Sequence, residues 1–538
     1  MIRTDWQDWK RWSRKYTMLP YIYEAEWKGL PLSWEAFWDQ AGPYSFVLES
    51  GRSGRYTYVG LLPSAYICGC GEEAVEYVLL DRDSVQEALS GASAHLLSVR
   101  YEPARKMQGP PLDILRAWMA EYHSPLPEEM SCFTGGCAGY LGYDSLPMTK
   151  QPRSRTEADP DEPDYLFMLF DRIWVYDHEC EKLSVCVHID ISREMSDQGV
   201  DEAKLLEAYR RAARTAENLA DMWRVCAEKA AAAGKTRRAR FEQLAKAEDR
   251  NTDGEAYLLE TNMSKEQFTA AVKRVQDYIR AGEVLQVNLS LSQKRKVDLA
   301  PEILYEWLRL LNPSPYMGLL RLGEFQLVSG SPELLIKKSG NHLRTRPIGG
   351  TRKRGRTEEE DRALEQELLT NAKERSEHKM LVDVEYADLS RAAEHGTVSV
   401  DQFMVIERYS HVMHLVSDLS AKLRQGLDAY DVLEAVFPGG TITGAPKRRT
   451  MEIIEELEPT RRGVYTGSFG WIDYKGNMEF NIIIRTMLVR GGTAYVQAGA
   501  GIVSESVPER EYQESLSKAQ ALWQAVHYAE SAEKDSLT

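Results

Sequence analysis

The sequence predicts an α/β protein of the α+β kind, in which strands and helices alternate without strict βαβ order. Apolar runs rich in Val, Ile and Tyr, such as residues 165–176, are typical of strands. A helix is indicated after Ser264, because Ser264 and Gln267 form a capping box and apolar residues then recur at helical spacing from Phe268 to Ile279. Both kinds of element are therefore expected to share one core.

Three regions follow one another along the chain. Residues 1–200 form an N-terminal region of mixed strands and helices. Residues 201–255 are rich in Ala, Glu, Arg and Lys, and they predict a helical insertion that ends near Gly234 and continues as a polar, partly disordered linker. Residues 256–538 contain most of the candidate chemical residues. Two further helices are expected there, at residues 376–388 and 509–530.

Composition excludes several classes of function. The 538 residues include 67 Lys and Arg against 82 Asp and Glu, a net charge of −15. This balance argues against a nucleic-acid partner, since polyanions require a clustered positive field. No run of about 18 apolar residues is present, and residues 1–19 lack the apolar stretch of a secretory signal, so no membrane association is expected. Seven sparse cysteines fit reduced thiols in the cytoplasm.

Two glycine-rich segments are candidate anion sites. Residues 439–447 resemble a phosphate-binding loop, but Ala445 and Pro446 separate the last glycine from Lys447. An NTP site is therefore rejected, and a site for a smaller anion or a structural turn are both open. Gly499–Gly501 lacks the third glycine of a dinucleotide fingerprint, so it is either a turn or a place where backbone amides approach a carboxylate.

Carboxylate and basic side chains supply further candidates. Glu511 and Glu514 share one helix face and Glu377 lies on another predicted helix; taken alone this favours exposed helix surfaces, although such a set would also suit Mg²⁺. His414 follows His411 by three residues in an apolar run, and this favours a structural histidine, because a metal site would need a third ligand. Five arginines around a glycine turn form a solvated face or steer a small dianion: Arg344, Arg346, Arg352, Arg354 and Arg356.

Residues from about 264 to 528 resemble the chorismate-utilising enzyme family. The motifs that carry the resemblance stand in the family's order: Asn312–Met317, Gly330–Glu333, Arg346–Thr351, Glu377–Asp383, Tyr409–His414, Gly440–Lys447, Gln497–Gly501 and Glu511–Lys518. The N-terminal part is similar through Leu48–Ser50 and Gly135–Asp144. The resemblance thus covers most of the chain apart from the insertion.

The resemblance implies a fold and an active site. The fold would have two facing antiparallel β-sheets flanked by helices, as in the anthranilate-forming members, with the active site in the cleft between them. Chorismate would be the substrate, Mg²⁺ would be held by Glu377 and Glu514 with Glu511 nearby, and Glu333 and His414 would be the acid and base residues. The substrate would contact Gly350, Thr351, Thr441, Tyr465, Arg485, Gly499, Ala500, Gly501 and Lys518.

Two reactions of the family are open. Addition of ammonia at C4 of chorismate gives 4-amino-4-deoxychorismate, a p-aminobenzoate precursor, whereas addition at C2 with loss of pyruvate gives anthranilate. Residues 437–443, 451–459 and 465–468 resemble the C4-aminating members more closely, and we expect that reaction. A non-catalytic regulatory protein on the same scaffold is a third hypothesis. Gly349 stands where some C4-aminating relatives carry a nucleophilic lysine, so no covalent adduct is expected at this position.

The resemblance also implies partners. No glutaminase triad is identified in the chain, so ammonia is expected from a separate glutamine amidotransferase subunit or as free ammonium. Ser50, Pro315, Tyr316 and Met317 lie in segments that resemble a tryptophan pocket of the family. We expect an effector or structural ligand to bind there.

Overall fold

The structure is a computed structural model, and it describes residues 1–51, 54–80, 99–127, 130–146, 162–192, 195–196, 199–248, 259–409 and 412–536. Two large antiparallel sheets dominate this part of the chain. The strands of the first sheet are β1 (Met18–Glu26), β2 (Tyr44–Glu49), β3 (Tyr56–Gly60), β9 (Arg172–Asp177), β10 (Lys182–Asp190), β13 (Glu260–Thr261), β14 (Gln286–Lys296), β15 (Tyr316–Leu322), β16 (Phe325–Ser331), β22 (Gly444–Ala445), β25 (Thr486–Arg490) and β26 (Thr493–Ile502).

The strands of the second sheet are β4 (Ala65–Cys70), β5 (Glu73–Leu79), β6 (Tyr101–Gln108), β7 (Gly136–Leu141), β8 (Tyr165–Phe170), β17 (Leu334–Ser339), β18 (His342–Arg346), β19 (Ile348–Lys353), β20 (Ser399–Arg408), β21 (Val412–Lys422), β23 (Ser468–Asp473) and β24 (Met478–Ile482). A separate hairpin pairs β11 (Met195–Ser196) with β12 (Gly199–Val200). The first sheet has the order β1-β10-β9-β3-β2-β15-β16-β25-β26-β14-β13, with β22 beside β14. The second has the order β19-β21-β18-β17-β24-β23-β7-β8-β4-β5-β6, with β20 beside β21.

The helices cover the outer faces of the sheets. They are α1 (Trp6–Trp12), α2 (Glu35–Trp38), α3 (Pro111–Met119), α4 (Glu202–Glu248), α5 (Lys265–Arg280), α6 (Pro301–Leu311), α7 (Glu358–Thr370), α8 (Ala372–Ala392), α9 (Ala429–Val436), α10 (Lys447–Leu457) and α11 (Pro508–Ser536). Short 3₁₀ turns occupy Tyr143–Ser145 and Gly440–Ile442. None of the described helices combines the length and the apolarity that a membrane span requires.

Both halves of the sequence build both sheets. In the first sheet β2 pairs with β15, so Glu49 lies opposite Met317. In the second sheet β7 pairs with β23. The N-terminal and C-terminal regions therefore share their sheets on either side of the insertion. This architecture confirms the predicted fold of two antiparallel sheets with flanking helices.

Large side chains fill the space between the facing sheets. Phe46 of the first sheet packs edge-to-face against Phe170 of the second, with ring centroids 4.7 Å apart. Trp471 stacks on Phe133 at 4.9 Å. Each such ring removes a large apolar area from water, and the edge and offset geometries add a small electrostatic gain. This central core joins the two sheets, and separate apolar clusters attach the helices outside them.

Secondary-structure predictions were confirmed where the sequence pattern was strong. Residues 165–176 form strands, divided into β8 and β9 with Asp171 between them. The Ser264 capping box is present, with the Gln267 amide donating to the Ser264 hydroxyl at 3.2 Å. The helices expected at 376–388 and 509–530 lie inside α8 and α11.

The prediction for the insertion was wrong beyond Gly234, because α4 continues without a break to Glu248. Its buried face is a row of small and apolar residues three or four positions apart: Leu205, Ala208, Ala212, Ala216, Leu219, Trp223, Cys226 and Ala230. A β-carbon on Gly234 would collide with Leu32, so the glycine allows a close helix approach and does not end the helix. Arg237, one turn further, is anchored by Glu35 at 2.5 Å. Of the predicted linker, residues 249–258 lie outside the described residues.

Candidate active site

Glu333 lies immediately before β17, and its side chain is buried. Its Oε1 accepts a hydrogen bond from the Ile348 amide at 3.2 Å. The pKa of Glu333 is raised to about 8: burial raises it most and Glu385 also raises it, against the opposing effects of the Ile348 amide, the Thr441 hydroxyl and Lys518. At neutral pH this carboxyl keeps its proton, as a general acid must.

His414 and Thr351 face each other across the pairing of β21 with β19. The His414 Nδ1 and the Thr351 hydroxyl lie 2.8 Å apart. Burial, assisted by the positive charge of Arg485, lowers the pKa of His414 to about 4. The imidazole is therefore neutral at pH 7, with one ring nitrogen able to accept a proton. His411 lies outside the described residues.

Among the basic side chains of the site, Arg485 is the one available to bind an anionic ligand. Within the described part of the chain, its guanidinium makes no ion pair or hydrogen bond. Burial lowers the pKa of this guanidinium, whereas Tyr465 and Glu514 raise it. The backbone has φ of 51° here, a conformation that costs a non-glycine residue energy and is often found at functional sites. An unpaired, largely desolvated guanidinium fits a carboxylate ligand.

The arginines around residues 347–351 differ from Arg485, because four of them are already paired. Arg344 binds Asp418 at 2.5 Å and Arg346 binds Glu407. Arg352 binds Glu367 at 2.6 Å and Glu374 at 2.9 Å, and Arg354 binds Asp361 at 2.7 Å. The prediction that this cluster steers a dianion therefore loses support, and the cluster mainly holds strands and helices of the second sheet together.

Three glutamates from two helices lie near one another, and one of them, Glu514, interacts electrostatically with Arg485. Glu377 of α8 and Glu511 and Glu514 of α11 lie close enough to influence one another's ionisation, and burial followed by like charges raises the pKa of Glu377 and of Glu511. Two lysines balance them: Lys373 Nζ lies 3.5 Å from Glu377, and Lys518 Nζ lies 2.8 Å from Glu514.

The three glutamates could contribute ligands to a cation, but they do not form a complete coordination shell. Among the described residues, no set of three or more His, Cys, Asp or Glu side chains is arranged as a ready metal site. Oε1 of Glu377 is buried and makes no hydrogen bond, and its ion-pair partner is Lys373, whose Nζ lies 3.5 Å away. One or two carboxylates with remaining positions for water and substrate are what Mg²⁺ accepts, so the residues fit that ion.

At the glycines predicted as site residues, neighbouring groups lie too close to the backbone to leave room for a β-carbon. Gly499–Gly501 is part of strand β26 and not a turn, and a β-carbon at Gly499 would lie 2.6 Å from the Leu289 carbonyl. Lys518 Nζ donates to the Gly499 carbonyl at 2.9 Å, which ties the third turn of α11 to this strand. Ala500 between them is buried. A β-carbon on Gly350 would collide with Glu374, and one on Gly349 with the buried His378 ring, so Gly349 has no room for a longer side chain.

The loop 439–447 serves as a scaffold for Thr441. Arg462 is buried beneath it and donates to the Ile442 carbonyl at 2.9 Å and to the Asn288 carbonyl at 2.8 Å. The same guanidinium binds Glu458 at 2.8 Å. Tyr465 is buried above Arg462, with the guanidinium 5.6 Å from its ring centre. Arg462 thus contacts both Tyr465 and Ile442, the residue that follows Thr441.

The four predicted effector residues lie together. Ser50, Pro315, Tyr316 and Met317 line one cavity of about 550 Å³ between the sheets, whose wall also includes Trp471. A volume of this size suits a small molecule.

Cys137 stands in a Gly-x-Cys-x-Gly setting, which is the spacing of a glutaminase nucleophile. Its thiol, however, is buried within β7, and burial raises its pKa well above the ordinary value. It is therefore an inert core residue.

The sequence analysis did not predict Glu385 as a site residue. It is a buried residue of α8 whose carboxyl influences Glu333. A signal was present, because Glu385 occupies the stripe of buried helix positions formed by Leu381, Val382 and Leu389. An acid in an apolar stripe is unexpected unless it is paired or neutral.

The site combines a proton-bearing glutamic acid, an arginine without an ion pair among the described residues, and a group of three glutamates. Residues 76–524 match the family model described as chorismate binding enzyme, and the chain belongs to this family. It is a chorismate-utilising enzyme of the aminodeoxychorismate and anthranilate synthase component 1 type.

Relatives with both names are similar to the chain. The aminodeoxychorismate synthase component 1 of Bacillus subtilis strain 168 is 41% identical over 92% of this chain and 94% of its own. The anthranilate synthase component 1 of Thermus thermophilus is 43% identical over 78% of this chain and 83% of its own. The anthranilate synthase component 1 of Aquifex aeolicus is 36% identical over 98% of both.

Solved structures agree on the fold. Anthranilate synthase component I from Streptococcus pneumoniae superposes with a TM-score of 0.64 at 28% identity, covering 88% of this chain and 93% of that one. The menaquinone-specific isochorismate synthase of Escherichia coli superposes with a TM-score of 0.62 at 16% identity, covering 97% of this chain and 98% of that one.

Proposed function

We propose that this chain aminates chorismate at C4, as the synthase component of an aminodeoxychorismate synthase that takes ammonia from a separate glutamine amidotransferase. The observation that carries the proposal is the Arg485 guanidinium, which has no ion pair among the described residues and acts electrostatically on the neutral His414 and on Glu514. A dianionic substrate needs such a positive group in a chain with a net charge of −15.

In the proposed reaction, Arg485 binds one substrate carboxylate through its free donors. Glu377, Glu511 and Glu514 would hold Mg²⁺, which offsets the charge of the second carboxylate. Glu333 donates its proton to the departing ring hydroxyl, which leaves as water. Ammonia adds at C4, and the neutral His414 accepts the proton that the new ammonium group must lose. The enolpyruvyl ether stays intact in this reaction.

The choice of C4 has support from the Bacillus subtilis relative, which matches nearly the whole chain. The lack of space beside Gly349 favours direct addition of ammonia over a covalent lysine adduct at this position. Anthranilate formation is the second candidate, since the Thermus thermophilus relative is equally similar where it aligns.

One assay separates the two reactions. The protein is incubated with chorismate, Mg²⁺ and ammonium, and anthranilate fluorescence is followed. We expect no fluorescent product, and we expect p-aminobenzoate to form once an aminodeoxychorismate lyase is added. Immediate anthranilate fluorescence would reject C4 amination. A parallel reaction with glutamine in place of ammonium should be inactive until an amidotransferase subunit is supplied.

A further inference from the structure

Strand β19 contains a bulge beside His414. Its pairing with β21 shifts register between Ile348 and Thr351, where Gly349 and Gly350 together lie opposite a single residue of β21. Because of the extra residue, Thr351 is the pairing partner of His414, and its hydroxyl lies 2.8 Å from His414 Nδ1. Side chains alternate between the two faces of a strand, so a slip of one residue would turn the Thr351 hydroxyl to the opposite face. The contact between Thr351 and His414 therefore depends on the bulge.

Space, and not backbone conformation, requires glycine at position 349. The φ angle of Gly349 lies outside the left-handed region that favours glycine. A β-carbon built on Gly349 would, however, lie 2.3 Å from Nδ1 and 2.9 Å from Cγ of His378. His378 belongs to α8 and has no exposed surface. Its ring therefore lies directly against the bulge.

The His378 ring is held in this place by Ser417, a fully buried residue of β21. Nε2 of His378 and the Ser417 hydroxyl lie 2.7 Å apart. The same hydroxyl accepts the Met404 amide hydrogen at 3.0 Å, and the Ser417 amide donates to the Pro347 carbonyl at 3.2 Å. Nδ1, the ring atom nearest to Gly349, makes no hydrogen bond to any described residue. The ring is thus anchored at one edge, and its contact with the bulge at the other edge is steric.

We propose that His378 is a positioning residue, whose ring, fixed by Ser417, supports the bulge at Gly349 and so keeps Thr351 opposite His414. The inference rests on the proposed function only for the catalytic role of His414. It is the same whether ammonia adds to chorismate at C4 or at C2.

The first test compares wild type, Gly349→Ala, His378→Gln and the double variant. The methyl group of Gly349→Ala collides with the His378 ring, so the bulge must shift. The kcat for chorismate consumption should fall roughly tenfold to a hundredfold, because a misplacement of about 1 Å can cost a hundredfold. Gln can keep the hydrogen bond to Ser417, whereas its flexible chain can bend away from the methyl group. In the His378→Gln background the alanine should therefore cost about tenfold less.

Equal losses in the two backgrounds would overturn the inference, because the ring would then not be what Gly349 must accommodate. His342→Gln is the matched control, since this histidine of β18 is exposed. It should leave kcat unchanged, and it should leave the cost of Gly349→Ala unchanged as well.

A second measurement does not depend on turnover and separates positioning from stability. Histidine labelled with ¹⁵N in the ring is incorporated, and the nuclear magnetic resonance signal missing from His414→Gln is assigned to His414. Gly349→Ala should shift this signal, because the Thr351 hydroxyl leaves His414 Nδ1, and the double variant with His378→Gln should return it towards the wild-type position. An unshifted signal would overturn the inference, even if Gly349→Ala melts at a lower temperature.

Two further outcomes are decisive. If Gly349→Ala does not fold, His378→Ala, which removes the support of the ring, must shift the His414 signal, and an unshifted signal would overturn the inference. The expected signals in a protein that does not aminate chorismate at C4 would leave the inference standing and reject the proposed function.

Discussion

Replacing Glu333 with Gln should stabilise the protein at alkaline pH while abolishing its activity. The two side chains have the same shape, and Gln can still accept the Ile348 amide hydrogen that Glu333 Oε1 accepts at 3.2 Å. The difference is charge, because only Glu333 can ionise in its buried position.

The magnitude follows from the raised pKa. Burial raises the pKa of Glu333 from 4.5 to about 8, and each tenfold change in an ionisation constant corresponds to about 1.4 kcal/mol, so ionised Glu333 costs the fold roughly 3–5 kcal/mol. Between pH 4.5 and 8 the unfolded chain has lost this proton and the folded protein retains it. The contribution of Glu333 to stability therefore falls as pH rises through that window and is constant above it.

The assay is denaturant unfolding, followed by tryptophan fluorescence, at several pH values between 4 and 9. Glu333→Gln and wild type should have similar free energies of unfolding at pH 4. As pH rises, the free energy of unfolding of the variant should exceed that of the wild type by an amount that reaches roughly 3–5 kcal/mol above pH 8. Its kcat should fall roughly 10²- to 10⁴-fold, the usual contribution of a general acid. Glu434→Gln, at an exposed site, should change neither quantity. A Glu333→Gln protein no more stable than wild type at pH 9 would refute the reasoning that this carboxyl is buried as a neutral acid.

Three further outcomes are expected. Arg485→Lys should raise KM for chorismate roughly tenfold or more, since a point charge replaces two donors that are each worth about 1.5–3 kcal/mol to a charged group; an unchanged KM in steady-state kinetics would remove Arg485 from the binding site. Glu377→Gln should weaken Mg²⁺ activation, read as a higher Mg²⁺ concentration for half-maximal rate after chelation and titration, and a wild-type titration curve would move the cation elsewhere. Arg462→Leu should destabilise the protein by about 3–5 kcal/mol in denaturant unfolding, because it leaves Glu458 buried without its cation at 2.8 Å; a loss below about 1 kcal/mol would mean that this buried ion pair contributes little to stability.

Patterns within one or two helical turns predicted structure correctly. The capping box at Ser264 involves residues three positions apart, so its hydrogen bonds depend on local geometry alone. The order of the short motifs pointed to the family, and the alternation of elements pointed to the fold class. The same local reasoning failed at Gly234, because the residue that explains this glycine, Leu32, is about 200 positions away in the sequence.

The sequence by itself determined which side chains are available: the acidic balance, the glutamates on α8 and α11, and the single arginine that follows Ile484. Only the tertiary structure decided which of them are free to act. Arg344 and Arg485 look alike in sequence, but Arg344 lies 2.5 Å from Asp418 on a neighbouring strand whereas Arg485 has no such partner among the described residues. Likewise, Glu333 becomes an acid that holds its proton at neutral pH because folding buries it near Glu385. Charge and proton affinity depend on burial and on neighbours brought together from distant parts of the chain, and no local pattern records either.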